Sequence, residues 1–233
     1  MFPQVHERVL PSCVSQHRLD LRRPLPPEVS LVALPASLAR AVPHRQMQFR
    51  AGRYCATKAM LRLDPSLAGR GVGRRADGAP LWPEGVVGSI THTEGVAAAA
   101  VASTSDVMAL GIDTERIMSD SQAREVSRLV AWPVELVHGC SAGMTRLEAL
   151  TLVFSAKESI FKCLYRVVGR RFDFHDVRIV HVDAGTFTAR VVCTLSDSCR
   201  VNTTLHGRFA CESSWIHTGV VLAANASEPS AGS

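Results

Sequence analysis

Nowhere in this 233-residue chain does an apolar run approach the ~18–20 residues that a membrane-spanning helix needs. The first thirty residues carry Glu7, Arg8, Arg18, Asp20, Arg22, Arg23 and Glu28, which leave no uninterrupted apolar core for a secretory signal. Membrane and secreted classes are disfavoured, and a cytoplasmic protein is expected. The seven cysteines are odd in number and contain no C-x-x-C pair. A disulfide framework and a Cys-rich zinc site are therefore disfavoured, and reduced, mostly buried thiols are expected. Also missing are G-x-G-x-x-G, Walker A, H-E-x-x-H and EF-hand patterns. The glycines of Gly69–Gly73 match no phosphate-loop spacing and read as a connector.

What remains is the composition of a globular protein, with 46% hydrophobic and 20% charged residues. Its length allows one large domain or two small ones. The net charge of +5 is unevenly spread. Residues 1–80 hold 13 Lys/Arg against 5 Asp/Glu, whereas residues 81–233 hold 13 against 16. A basic half joined to a mildly acidic one points to an anionic ligand on one side. A nucleic-acid binder would share that feature. Against it stand the low aromatic content, 6%, and the absence of a nucleic-acid-binding motif.

Residues 1–40 are rich in proline and read as irregular. Met47, Ala51, Tyr54 and Leu61 mark a helix over about 43–63, with Arg45, Arg50 and Arg53 off that stripe. Prolines and glycines break the order between 64 and 85. Strand-like runs follow at 86–91, 96–103 and 107–113. Ser119 with Gln122, and Thr145 with Glu148, form capping boxes. The first opens a helix ending at Trp132-Pro133, and the second a long helix to about Val168. Further strands are expected near 176–183, 187–195, 203–211 and 215–223. Helix-then-strands, twice over, predicts an α+β fold with two similar subdomains. The expected division is 1–106, basic and phosphate-binding, then 107–223, with a disordered tail from 224 to 233.

Leu147, Leu150, Phe154, Phe161, Leu164 and Val168 form the apolar stripe of the long helix. Position 157 should be apolar by the same spacing but holds Lys157. Glu158 lies only about 40° from Phe154 at ~3.6 residues per turn, and Lys162 shares its face. Charges on a core-facing strip break a folding rule, as functional residues often do. A snorkelling lysine and a surface ion pair would account for them equally well. Lys157→Met should restore the apolar stripe and could even stabilise the fold, while lowering turnover.

In an extended chain residues two apart share a face, so Asp113 and Glu115 present two carboxylates together. Paired hard oxygen donors suit Mg²⁺, with Glu158 a third carboxylate if the fold brings it near. A solvated acidic strand end is the plainer alternative. In Gly88–Thr93, Ser89 lacks the G-x-S-x-G elbow of a hydrolase. Thr91 and His92 carry donors suited to phosphate oxygens.

Five segments occur in an order that resembles the 4′-phosphopantetheinyl transferases of the two-repeat, surfactin-type class. They are Arg45…Phe49-Arg-Ala-Gly-Arg53-Tyr-Cys-Ala56, Gly78-Ala-Pro-Leu-Trp-Pro83, Gly88-Ser-Ile-Thr-His92, Gly111-Ile-Asp-Thr-Glu115 and Phe154-Ser-Ala-Lys-Glu-Ser-Ile-Phe-Lys162. Within that class the segments look like those of the branch serving enterobactin-type siderophore synthesis. Single-repeat, trimeric carrier-protein synthases are about half this length. Gln48 stands where the family often has Glu, and Phe154 where other branches have Trp; both bear on subfamily.

The resemblance implies a pseudo-twofold pair of subdomains, each a long helix packed on a small, mostly antiparallel sheet. It implies Mg²⁺-dependent transfer of the 4′-phosphopantetheine group from coenzyme A to a serine of an apo acyl or peptidyl carrier protein. Adenosine 3′,5′-bisphosphate would be released. Asp113, Glu115 and Glu158 would be the metal-site carboxylates. Lys157 and Lys162 would border the pyrophosphate and the reacting serine. Glu158 could be base, ligand or both. Arg45, Arg53, Thr91 and His92 would hold the coenzyme A phosphates, with Gly78 and Pro80 near the adenine. Neither nucleic acid nor membrane is an expected partner, and a monomer is expected. A relative that binds coenzyme A without catalysis is the remaining alternative.

Overall fold

A computed structural model describes residues 9–224 of the chain. The expected tail lies outside the described residues, apart from Ala224. The elements run β1 (Ser15–Asp20), α1 (Pro43–Leu63), β2 (Gly73–Arg74), β3 (Pro80–Leu81), β4 (Val86–Thr93), β5 (Val96–Ser103) and β6 (Val107–Arg116). Next come α2 (Asp120–Val130), α3 (Pro133–Ser141) and α4 (Arg146–Val168). The chain closes with β7 (Val177–Asp183), β8 (Thr186–Val191), β9 (Thr204–Glu212) and β10 (Trp215–Ala223). No helix among the described residues is long and apolar enough to cross a membrane.

The strands form two principal antiparallel sheets, in the orders β1-β5-β4 and β6-β10-β9-β8-β7, plus the small β2-β3 pair. α1 packs on the first sheet and α4 on the second. The mixed helix-and-sheet plan read from the sequence is therefore present. Besides the short β2-β3 pair, which falls in the segment read as a break in order, two elements were not foreseen. Strand β1 lies in the segment read as irregular, pairing with β5 from Ser15↔Val101 to Asp20↔Val96. Its side chains are half-buried throughout, so no alternation betrays it. Beyond Trp132-Pro133 the chain starts a new helix, α3, because a proline in the first turn loses no intrahelical hydrogen bond.

β5 reads VAAAAVAS and is buried on both faces. Ala97 and Ala99 pack with Ala51, Cys55 and Ala56 of α1. Ala98, Ala100 and Ala102 pack with Leu110 and Ile112 of β6. Small side chains on both faces let α1 and β6 close in from opposite sides. α4 starts at the Thr145–Glu148 capping box and ends at Gly169, whose φ of 71° few other residues adopt without strain.

Two contacts fix the seam between the sheets. β4 and β6 belong to different sheets but run side by side in the same direction. Thr91 Oγ1 donates to Asp113 Oδ1 at 3.0 Å, and Thr93 Oγ1 to Glu115 Oε2 at 3.3 Å. Ser89 Oγ accepts from the Ile112 amide at 3.1 Å. The second contact is at Gly111, where the α4 backbone lies directly against β6. A Cβ there would collide with the Ser159 carbonyl oxygen and lie 2.6 Å from the Cys163 amide nitrogen. Both are backbone atoms that no rotamer change can move.

Gly111→Ala is accordingly expected to destabilise the protein by at least the ~1–3 kcal/mol typical of overpacking. Urea denaturation checks this. A midpoint equal to wild type would show that α4 can shift without cost.

Candidate active site

The seam gathers most of the residues singled out in the sequence. Asp113 and Glu115 leave β6 on the side facing β4 and α4. Lys162 of α4 places its ammonium 2.6 Å from Asp113 Oδ1 and 3.2 Å from the Ile112 carbonyl oxygen. Its side chain keeps 26% exposure, against 3% for Asp113. Asp113 Oδ2 is buried with no hydrogen-bond partner.

The electrostatics reflect crowding of like charge. Burial pushes the Glu115 carboxyl up to about 8, with the Asp113 charge adding to the effect and Lys162 opposing it. Burial also raises Glu158, again against the pull of Lys162. Burial alone would lower the Lys162 ammonium, but Asp113, Glu158 and Glu115 outweigh it and the net shift is upward. The site thus holds two raised carboxyls, Glu115 and Glu158, each pushed up in part by the Asp113 charge, with one ammonium among them.

These donors fit a divalent cation. A buried carboxylate oxygen without a partner, beside a second carboxyl strained by like charge, is what a hard cation would relieve. Among the described residues, no three His, Cys, Asp or Glu side chains are gathered tightly enough to hold a metal alone. Mg²⁺ usually takes only one or two carboxylates and completes its shell with water and substrate phosphates, so two suffice here.

A cavity of about 500 Å³ opens from this point between the halves. Arg45, Arg74, Gly78, Pro80, Ser89, Lys162 and Arg171 are among its walls. A second cavity of about 190 Å³ adjoins it, walled by Arg45, Phe49, Arg53, Arg74 and His92. Arg53 was placed off the buried stripe of α1, yet it is only 8% exposed. It lies over the Phe49 ring, and its Nη1 has no hydrogen-bond partner. Burial, with Arg74 nearby, brings it down to about 10. An unsatisfied buried guanidinium beside further arginines is suited to a phosphate.

His92 Nε2 lies 2.9 Å from Arg45 Nη1. Arginine can only donate, so this nitrogen accepts and the ring is neutral. Burial, then Arg45 and Lys162, lower His92 to about 4. Gly78 has a φ of 92°, which a residue with a Cβ adopts only under strain. Ser89 is buried and its hydroxyl accepts from the Ile112 amide, so it ties β4 to β6 rather than standing as a free nucleophile.

Lys157 is not brought to this cluster. The position is buried, as the stripe requires, with 2% exposure. Its ammonium turns away, to Glu135 Oε2 at 2.8 Å and the Val130 carbonyl at 2.9 Å. Glu135, fully buried in α3, also accepts from the Trp132 and Ile179 amides at 2.7 Å each. Burial lowers the Lys157 ammonium while Glu135 pulls it back up. The expectation that Lys157 borders the pyrophosphate and the serine therefore does not match its position: it joins α2, α3, α4 and β7. Glu135 carried no sequence signal except its place three residues after Trp132.

Comparison with known proteins gives this arrangement a family. Residues 34–102 match the profile of the 4′-phosphopantetheinyl transferase N-terminal domain, and residues 109–218 that of the 4′-phosphopantetheinyl transferase superfamily. The 4′-phosphopantetheinyl transferase PptT of Mycobacterium tuberculosis is 31% identical over 209 residues, covering 85% of this chain and 86% of its own. Svp of Streptomyces mobaraensis, also a 4′-phosphopantetheinyl transferase, is 42% identical over 164 residues, 67% of this chain. The matched part spans 63% of the Streptomyces protein, just under two thirds. Enterobactin synthase component D of Escherichia coli K12 is 45% identical over 83 residues, 36% of this chain and 38% of its own. The chain belongs to the 4′-phosphopantetheinyl transferase superfamily.

Two outcomes are expected. Lys157→Met leaves the Glu135 carboxylate buried without its cation and should cost about 3–5 kcal/mol, opposite to the stabilisation the stripe suggests. Adding Glu135→Gln should return part of that loss; urea denaturation of both variants is the check. For His92, the folded value of about 4 lies below the ordinary 6.5. Between those values the unfolded chain takes the proton and the folded chain does not. Its contribution is complete above pH 6.5 and fades as pH falls toward 4. The stability difference between wild type and His92→Gln should shrink over that window. A constant difference would mean that His92 titrates normally.

Proposed function

We propose that the chain transfers the 4′-phosphopantetheine group from coenzyme A to a serine of an apo acyl or peptidyl carrier protein, releasing adenosine 3′,5′-bisphosphate. The observation that carries this reading is the meeting of Asp113 with Lys162, and of Glu115 beside it, at the head of a cationic cleft, with Glu158 near enough for its charge to act on Glu115 and Lys162. Asp113 Oδ1 is bound at once by Lys162 and Thr91, one from each half.

On this reading coenzyme A lies along the cleft. Arg45, Arg53, Thr91 and His92 hold its phosphates, and the turn at Gly78 and Pro80 lies near the adenine. Lys162, held by Asp113, presents its charge to the pyrophosphate. The carrier's serine hydroxyl attacks the phosphorus bearing pantetheine, and the bond to the adenosine-side phosphate breaks. Negative charge grows on that leaving phosphate, where a fixed ammonium is worth most because the site is already ordered. Glu158 is the group suited to take the serine proton, since burial has raised its affinity for one. Asp113 and Glu115, with Glu158 beside them, would hold Mg²⁺, which when bound would neutralise charge on the two phosphates. Lys157 supports the helix that carries Glu158 and Lys162.

A long helix on an antiparallel sheet on either side of the cleft supports reading the halves as a pseudo-twofold pair, divided near residue 107. All seven cysteines are free, which supports a reducing, cytoplasmic setting. We read the protein as a monomer there, acting on the carrier protein and coenzyme A without nucleic acid or membrane.

Intact mass spectrometry of an apo carrier protein incubated with the chain, coenzyme A and Mg²⁺ tests the proposal. A gain of one phosphopantetheine group is expected, and chelation of the metal should abolish it. Asp113→Ala and Glu158→Ala should each lower turnover at least about a hundredfold while the fold is kept. Turnover near wild type in either variant would remove that residue from the site.

A further inference from the structure

The side chains of Asp77 and Tyr165 meet across the mouth of the large cavity. Asp77 belongs to the turn between β2 and β3, and Tyr165 to the last turns of α4. The Tyr165 hydroxyl donates to Asp77 Oδ2. Both residues line the 500 Å³ cavity, as do Gly78, Ala79 and Pro80.

The turn has little else to hold it. Its ladder is only two residue pairs, Gly73↔Leu81 and Arg74↔Pro80. A two-stranded ribbon of that size is not stable alone. Arg75 and Ala79 close it by a backbone hydrogen bond of 2.9 Å, and the Ala79 amide donates to Asp77 Oδ1 at 2.9 Å. Arg74 reaches back to Ser37 Oγ at 2.6 Å, within the N-terminal half. The Asp77 carboxylate therefore has two tasks: one oxygen shapes the turn and the other ties its tip to the C-terminal half.

The sign of the charge is informative. The cavity is walled by Arg45, Arg74, Lys162 and Arg171, as an anion-binding cleft should be. A carboxylate there is wrong for a phosphate ligand and needs another reason. Tyr165 first, then the Ala79 amide, with Arg75 and Arg171 close by, hold it well below the usual carboxylate range.

We propose that Asp77 and Tyr165 are positioning residues, forming a clasp that holds the Gly78–Pro80 turn over the cleft in the place where it meets the donor nucleotide. This rests on the reading of the cleft as the coenzyme A site. The clasp acts on donor binding and leaves the carrier protein and the chemical step alone. Loss of the hydroxyl frees the turn, and the donor must then order it on binding, which weakens apparent affinity.

The test is a double-mutant cycle of Tyr165→Phe and Asp77→Ala, read as KM for coenzyme A, KM for the carrier protein and kcat. Tyr165→Phe removes one oxygen and no charge. It should raise the coenzyme A KM roughly three- to tenfold, the range for one ordinary intramolecular hydrogen bond, since solvent screens the charge of this exposed pair. The carrier KM and kcat should stay within about twofold of wild type. In the Asp77→Ala background the same change should have no further effect on the coenzyme A KM. Amide exchange at Gly78 and Ala79 should quicken in Tyr165→Phe without any ligand present. An unchanged coenzyme A KM in Tyr165→Phe, full additivity in the cycle, or unchanged exchange overturns the clasp while the transferase reading stands. A wild-type chain that neither binds coenzyme A nor modifies the carrier overturns the transferase reading and the clasp with it.

Discussion

The site depends on how closely α4 can approach β6, and Gly111 sets that distance. Strands and helices normally stand apart by the size of the side chains between them. At Gly111 there is no side chain, and the backbone of α4 near Ser159 and Cys163 comes to rest on the strand itself. Two residues further along β6, Asp113 leaves the strand on the side that meets the helix. Lys162, within the stretch of helix between those two residues, then spans the remaining gap to reach it at 2.6 Å. An added methyl group would be felt first as displaced backbone and next as a broken ion pair. The chemistry and the packing share one joint.

Around that joint the charges fall into zones. The centre is acidic: the Asp113 charge adds to burial in raising both Glu115 and Glu158, and Lys162 opposes that rise only in part. The rim is basic, with Arg45, Arg53 and Arg74 on the N-terminal side. A simple anion would suit the rim and be repelled at the centre. A simple cation would suit the centre and be repelled at the rim. A diphosphate ester carrying a divalent cation matches both zones, and on the proposed reading that is the donor. The imbalance between a basic first eighty residues and a mildly acidic remainder is this zoning seen along the chain.

Much of the scaffold was legible because its signals are local. The capping boxes at Ser119 and Thr145 mark helix starts at Asp120 and Arg146. The i, i+2 spacing of Asp113 and Glu115 gives a shared face that the strand honours. Where partners are distant in the chain, the reading fell short. β1 is held by β5, some eighty residues away, and its own sequence has no strand pattern. Arg53 falls off the apolar stripe of α1 and is buried all the same; the neighbouring Gly52 leaves so little between the helix and β4 that an added Cβ would lie 2.8 Å from Ile90 Cγ2. The meeting of residues 113–115 with 158–162 could be inferred from a resemblance but not from periodicity, since periodicity says which side of an element is buried and not against what.

The two lysines of α4 show where that distinction matters most. Lys157 and Lys162 are five residues apart, which at ~3.6 residues per turn puts them about 140° apart around the helix. One therefore faces α3 when the other faces β6. The interrupted apolar stripe identified Lys157 correctly as a charge in the core, and a charge in the core needs a partner. Two kinds of partner satisfy that need, a substrate phosphate in a cleft or a carboxylate of the protein itself, and the stripe does not separate them. Glu158 is four residues before Lys162 and about 40° from it around the helix, but about 100° from Lys157, so it lies nearer the side of Lys162. The short run from 157 to 162 thus serves two ends: its first lysine anchors the helix from behind through Glu135, so that Glu158 and Lys162 are held still in front.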